Sequence, residues 1–206
     1  MMLLIVIPLM IACGDEGGNQ STGNIDLANF EFPNPDLPVV LIDIEGHGQI
    51  LAELYPEYAP ITVHNFIDLA EDGFYDGLTF HRIIDGFMIQ GGCPDGTGMN
   101  GSGRNIVGEF PSNGIENPLQ HTRGVLSMAR NMVSYDSASS QFFIMHANAR
   151  HLDGDYASFG QVIYGMNVVD SVVDSVRAGA DGAVGAEEQP VIREIRLVNG
   201  SQIELD

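Results

Sequence analysis

The stretch that decides the fold is Phe80-His81-Arg82-Ile83-Ile84-Asp85-Gly86-Phe87-Met88-Ile89-Gln90-Gly91-Gly92. Two short strand candidates, 79–84 and 87–90, are separated by Asp85-Gly86, a glycine break in the strand pattern. Alternation along the second run puts Met88 and Gln90 on one face, with Phe87 on the opposite parity. Phe87 joins Met88 only through a bend near Gly86. The segment sets one permanent cation, Arg82, beside an amide and large apolar side chains, with no paired acid, nucleophile or metal-ligand pair.

Outward from this stretch, a second block reads Ser137-Ala138-Ser139-Ser140-Gln141-Phe142-Phe143-Ile144. Gln141 and Phe143 share a face, which leaves Phe142 for the interior. Few reactions need a lone arginine at an apolar pocket. Rotation about a prolyl peptide bond is one, since it breaks no covalent bond and needs only a fixed donor and an apolar surface. Both blocks, in this order, closely resemble the active-site strands of the cyclophilins, the cyclosporin-binding family of peptidyl-prolyl cis/trans isomerases. The resemblance covers about residues 38–205.

It implies Arg82 as the catalytic residue. It implies a pocket of Phe87, Met88, Phe143 and Leu152, with polar contacts from Gln90 and Gln141. Ser127-Met128-Ala129-Arg130 resembles the segment whose main chain at Ala129 and Arg130 holds the residue before proline; the Arg130 side chain itself reads as a solvated charge. His151-Leu152-Asp153-Gly154 matches a segment where strongly cyclosporin-sensitive members carry tryptophan at the first position, so His151 takes the rim, and Tyr156 stands where histidine is common. Asp85 replaces a usual proline and places an acid near Arg82; it is expected to face solvent in a turn. No cofactor is implied. The residues leave open an alternative, a non-catalytic binding module or holdase for proline-containing segments.

Farther out, residues 39–44 and 49–55 are β-rich runs around Gly46-His47-Gly48. A helix begins with Pro60 in its first turn and ends near Gly73, with Val63, Phe66, Ile67 and Ala70 as its stripe. Further strands are expected at 124–128, 141–145, 159–163 and 191–198. A second helix at about 166–176 carries Val169, Val172, Val173 and Val176 on one face, and 178–190 reads as a Gly/Ala/acidic loop. The expected fold is mostly β: a closed antiparallel eight-stranded β-barrel capped by two α-helices, spanning 37–206.

Residues 1–12 form an apolar run that fits the core of an export signal and is too short to span a bilayer. Met10-Ile11-Ala12-Cys13 resembles a bacterial lipobox, with Cys13 as the lipidated residue, although leucine is usual where Met10 stands and no basic segment precedes the run. Residues 13–36 then read as a lipidated cysteine and flexible tether. A buried N-terminal strand with a core cysteine is the alternative. The expectation is a monomeric extracytoplasmic lipoprotein of the bacterial cell envelope, acting on proline-containing polypeptides.

The 206 residues carry a net charge of −20; all the basic residues are arginines. Nucleic acid is excluded as a partner, because such binding rests on cations that neutralise phosphates. The histidines are scattered without zinc-ligand spacing. His81, beside Arg82 and on the other strand face, is expected as a buried, satisfied imidazole. Asp153 and Asp155 flank a glycine turn rather than forming a catalytic acid pair. Residues 91–103 lack the lysine and following helix of a phosphate loop. Cys93 is expected as a free thiol.

Overall fold

The computed structural model describes residues 24–199. Eight strands make one antiparallel sheet: β1 (Val39–Ile44), β2 (Gly48–Leu54), β3 (Thr79–Ile84), β4 (Met88–Cys93), β5 (Val125–Met128), β6 (Phe142–Met145), β7 (Ser158–Tyr164) and β8 (Ile192–Asn199). Their order is β3-β4-β6-β5-β7-β2-β1-β8. Two helices, α1 (Pro60–Glu71) and α2 (Met166–Ser175), complete the fold.

The expected closed barrel is corrected to a curled, open sheet. The edge strands β3 and β8 share no ladder; a single bridge, Thr79 to Val191, joins their starts. The cause lies in the 178–190 loop. Its residues 182–184 occupy the free edge of β3, where Ile83 N–H donates to the Gly182 carbonyl (2.8 Å) and Val184 N–H to the His81 carbonyl (3.0 Å). The backbone groups that would pair with β8 are already satisfied. Gly182 (φ +86°) permits this approach, since a Cβ there would collide with the Ile84 side chain.

Inside the curl lies the main core. The stripe predicted for α1 is buried as expected: Val63, Phe66, Ile67 and Ala70. Phe66 packs on the rings of Tyr75, Phe142 and Phe159 at centroid distances of 5.1–5.2 Å. In α2 the buried residues are Val168, Val169, Val172 and Val173. Val176, expected on this face, lies past the helix end with an extended backbone (φ −115°, ψ 154°).

On the other side of β4, β5 and β6, a second apolar cluster gathers Met88, Val125, Phe143, Met145, Ala149 and Leu152, with Phe87 and Tyr156 against it. Strand alternation thus sends Phe142 inward and Phe143 outward, as the sequence predicts.

The segment expected as a flexible tether is partly built into the fold. Ile25, Leu27, Phe30 and Phe32 pack on Val39, Leu41 and Leu51 of the outer sheet face. Ile25 N–H donates to Gln49 Oε1 (2.8 Å) and Asn34 N–H to Glu53 Oε1 (3.1 Å). Cys13 and residues 1–23 lie outside the described residues, as do 200–206. Among the described residues, no helix is long and apolar enough to cross a membrane.

Candidate active site

Strand pairing assembles the site. Arg82 faces Gln90 across β3 and β4, and Gln90 faces Phe143 across β4 and β6. A cavity of about 150 Å³ opens there, lined by Arg82, Phe87, Met88, Gln90, Ala129, Arg130, Phe143, Leu152 and Tyr156. Nearly every residue singled out in the sequence therefore meets at one place. Of the residues expected at the pocket, the exceptions are Gln141, which lines a neighbouring polar cavity of about 280 Å³, and His151. His151 is exposed at the rim, its ring stacked on Phe87 at 5.6 Å. Phe87 reaches the cavity because the turn carries Gly86 in the left-handed region (φ +68°), the bend that its strand parity required.

Among the described residues, Arg82 is held without a carboxylate. Its Nε donates to the Asp181 carbonyl (3.0 Å), and Nη1 approaches Gln90 Oε1 at 3.4 Å. Gln90 Nε2 donates to Gln141 Oε1 (2.9 Å), and Gln141 Nε2 donates to the carbonyls of Gly98 (3.0 Å) and Asn100 (2.7 Å). This relay leaves each amide oxygen facing a donor and sets the guanidinium at the cavity wall with its charge uncompensated. Asp85, the acid that the sequence places near Arg82, stands in the turn with an 87% exposed side chain and approaches His146 Nδ1 (3.5 Å) instead.

Arg130 is the correction at this site. Rather than a solvated charge, its guanidinium lies 4.8–5.4 Å from the ring centroids of Tyr156, Tyr135 and Phe110. Its Nε donates to the Asp155 carbonyl (2.8 Å) and Nη1 to the Asn131 carbonyl (2.9 Å). Ala129 N–H donates to the Gln141 carbonyl (2.9 Å), which fixes the 129–130 step along the cavity.

Sequence reasoning missed what lies beneath Phe143. The His121 ring stacks on it at 6.0 Å, its Nδ1 3.0 Å from Asp153 Oδ1 and its Nε2 3.0 Å from Ser127 Oγ. The arrangement has the order of a nucleophilic triad, but Ser127 and His121 are both fully buried. No substrate reaches the hydroxyl, so the group serves to fix the floor. Burial lowers the His121 pKa despite the neighbouring Asp153. No local signal could reveal this grouping, since its members are separated along the chain: Ser127 and Asp153 lie in two different motif blocks, and His121, which joins them, lies in neither.

His81 departs from expectation as well. It is buried, and among the described residues neither ring nitrogen has a partner in good hydrogen-bond geometry. Burial, and then the charge of Arg82, lower its pKa, against smaller opposing contributions from the nearby Gln141 side chain and Thr79 backbone. Cys93 is free and buried, with Sγ 3.0 Å from Asp95 Oδ1. Among the described residues, no group of three or more His, Cys, Asp or Glu side chains could hold a metal ion.

The site is an arginine, without a carboxylate partner among the described residues, at the wall of an apolar cavity on a curled eight-stranded sheet with two helices. The model of the cyclophilin type peptidyl-prolyl cis-trans isomerase/CLD family matches residues 39–198. Peptidyl-prolyl cis-trans isomerase B of Bacillus subtilis is 50% identical over 123 residues, covering 60% of this chain and 82% of that protein. A peptidyl-prolyl cis-trans isomerase of Helicobacter pylori is 43% identical over 132 residues, 64% of this chain and 76% of that one. A crystal structure of a Cryptosporidium parvum cyclophilin type peptidyl-prolyl cis-trans isomerase, in the presence of the dipeptide Ala-Pro, superposes with a TM-score of 0.68 at 30% identity, covering 77% of this chain and 98% of that one. The chain belongs to the cyclophilin-type peptidyl-prolyl cis-trans isomerase family.

Proposed function

We propose that this enzyme accelerates cis/trans exchange at X–Pro bonds through Arg82, acting on proline-containing segments of other polypeptides. The uncatalysed rotation is slow because amide resonance sets a barrier of roughly 18–20 kcal/mol. In the twisted state resonance is lost, the carbonyl dipole shrinks and the proline nitrogen regains a lone pair. The floor of Met88, Phe143 and Leu152 favours that less polar state over the planar one. Arg82 carries fixed N–H donors that keep their protons at neutral pH, and aims them at the rotating amide. Each ~1.4 kcal/mol of such differential binding gives about tenfold in rate.

The observation that carries this reading is the guanidinium held at the cavity wall by a carbonyl and an amide relay, with no carboxylate within ion-pair distance among the described residues. The Ala-Pro dipeptide present with the Cryptosporidium parvum relative supports a proline-containing ligand. A protease-coupled assay on an Ala-Pro peptide, with residues 24–206, tests it. The expected result is catalysed cis-to-trans exchange proportional to enzyme concentration; exchange at the uncatalysed rate defeats the proposal.

The apolar run 1–12 and the Ala12-Cys13 step support a lipid-anchored, extracytoplasmic form whose clients are exported proteins. The free tether is then shorter than the sequence suggested, because the fold begins by Ile25. Labelled fatty acid should enter the wild type and not Cys13→Ser. Equal labelling of both, or of neither, removes the anchor.

A further inference from the structure

One charged cluster lies outside the chemistry described so far and grips the pocket from behind. His146 directly follows β6. Its backbone N–H donates to the Phe87 carbonyl (2.9 Å), as does that of Ala147 (3.2 Å). Its ring is largely enclosed, with a side-chain exposure of 16%. Nδ1 accepts the Gly86 N–H at 3.0 Å. A backbone amide only donates, so Nδ1 carries no proton and the neutral ring holds its hydrogen on Nε2. That hydrogen is aimed at Asp170 Oδ1 on α2, 3.1 Å away. Asp170 is in turn clamped by Arg123 Nη2 (2.6 and 2.8 Å), and Arg123 Nη1 donates to the His146 carbonyl (2.6 Å).

The charged groups facing the ring are therefore Asp170 from α2, Asp85 from the β3–β4 turn at 3.5 Å, and Arg123 from the turn before β5, already engaged with Asp170 and the His146 carbonyl. Each part of this cluster bears on one turn, 85–87, whose last residue is the Phe87 wall of the cavity.

We propose that His146 is a positioning residue: its neutral ring, oriented by Asp170, holds the Gly86–Phe87 turn, and its protonation releases that turn and weakens peptide binding. A protonated ring donates from both nitrogens. Nδ1–H then faces the Gly86 N–H, donor against donor, and Asp85 is the nearest acceptor to draw it aside. The Gly86 hydrogen bond is lost, and Phe87 keeps only its backbone bonds to His146, Ala147 and Ile84, so its ring is less tightly placed against Met88 and Phe143. Because the ring touches no reacting atom, the effect belongs to peptide affinity rather than to turnover.

The proposal rests on Phe87 as a wall of the proline pocket. Its test compares KM and kcat for wild type and His146→Gln between about pH 5 and about pH 8, the range in which histidine alone changes charge unperturbed. Glutamine can accept from Gly86 and takes up no proton. The other histidines titrate in both proteins, so the ratio of the two isolates His146. In wild type, relative to the variant, KM should rise about fivefold at the acid end, the worth of one neutral hydrogen bond, with kcat nearly unchanged. A ratio that stays flat with pH overturns the proposal. Should His146→Gln misfold, the Gly86 amide proton of the wild type decides: it should move upfield on acidification as its acceptor is lost, and a fixed resonance overturns the clamp. If Phe87→Ala leaves KM unchanged at neutral pH while the Gly86 resonance titrates, the pocket reading has failed and the clamp has not.

Discussion

Two arginines line the same cavity and are held in opposite ways. Arg130 is enclosed by the rings of Phe110, Tyr135 and Tyr156 and spends two donors on carbonyls at 2.8 and 2.9 Å. Arg82 has one carbonyl at 3.0 Å and a long amide contact at 3.4 Å. Beside it on β3, His81 is buried with neither nitrogen hydrogen-bonded. One side of the cavity has its interactions met; the other keeps a cation uncompensated next to an unsatisfied ring. The difference separates a residue that builds the wall from one whose donors stay available, as the proposed role of Arg82 requires, and it places the cost to stability on the Arg82 side.

The largest expected effect falls on Arg82→Ala. With the donor gone and the apolar floor intact, kcat/KM should fall at least about tenfold, equal to ~1.4 kcal/mol of transition-state stabilisation. Stability should stay within about 0.5 kcal/mol, since the removed contacts are a weak set at a half-exposed position. Peptide kinetics with a thermal melt on the same preparation checks both. A folded Arg82→Ala enzyme with near wild-type turnover would break the comparison at its functional end.

Arg130→Leu should show the reverse. Three ring contacts and two hydrogen bonds go at once, so the expected loss is about 1–3 kcal/mol of stability. The cavity-lining main chain at 129–130 remains tied by the Ala129 N–H to the Gln141 carbonyl (2.9 Å), and kcat/KM should change by less than about threefold at temperatures where the variant is folded. Urea unfolding and the same peptide assay measure the two quantities. An activity loss as large as that of Arg82→Ala, without destabilisation, would mean that Arg130 also reaches substrate.

Much of this was legible in the sequence, for reasons that are local. Helix α1 announces itself through Pro60 and the 63, 66, 67, 70 stripe, and β6 through the parity of Phe142 and Phe143. Arg82, Gln90 and Phe143 meet because their strands are neighbours in register, so motif and geometry agree. What stayed hidden depends on contacts distant along the chain. The Arg130 cage draws Phe110, Tyr135 and Tyr156 from three loops, and none of them signals a cation. His121 finds Asp153 only after the loops fold together. Ile25, Leu27, Phe30 and Phe32 sit among polar residues, so their composition reads as a linker although the outer sheet face takes up their side chains. The open seam escaped prediction because residues 182–184 compete for the β3 edge by backbone hydrogen bonds, which no side-chain pattern encodes.

The smallest effect concerns His81 and tests whether the Arg82 side does carry a stability cost. The ring is buried, and burial together with the adjacent Arg82 charge holds its pKa below the ordinary 6.5. In the unfolded chain the same imidazole takes up a proton near 6.5, whereas in the folded protein it resists. Below that pH the unfolded state therefore binds more protons, and folding stability from this group declines on acidification until the lowered folded value is reached. Above 6.5 both states are neutral and the contribution is constant. His121, also lowered by burial, acts in the same direction. Replacing His81 by leucine removes one such group along with two unsatisfied nitrogens. At neutral pH His81→Leu should match or exceed the wild type by about 1 kcal/mol. On acidification its stability should fall less steeply, so that the gap between the two proteins widens below about pH 6.5. Urea midpoints at several pH values give the slope directly. Parallel slopes would mean that His81 ionises equally in folded and unfolded chains, and that the ring beside Arg82 has a partner after all. The contrast between the two arginine sites would then rest on the guanidinium contacts alone.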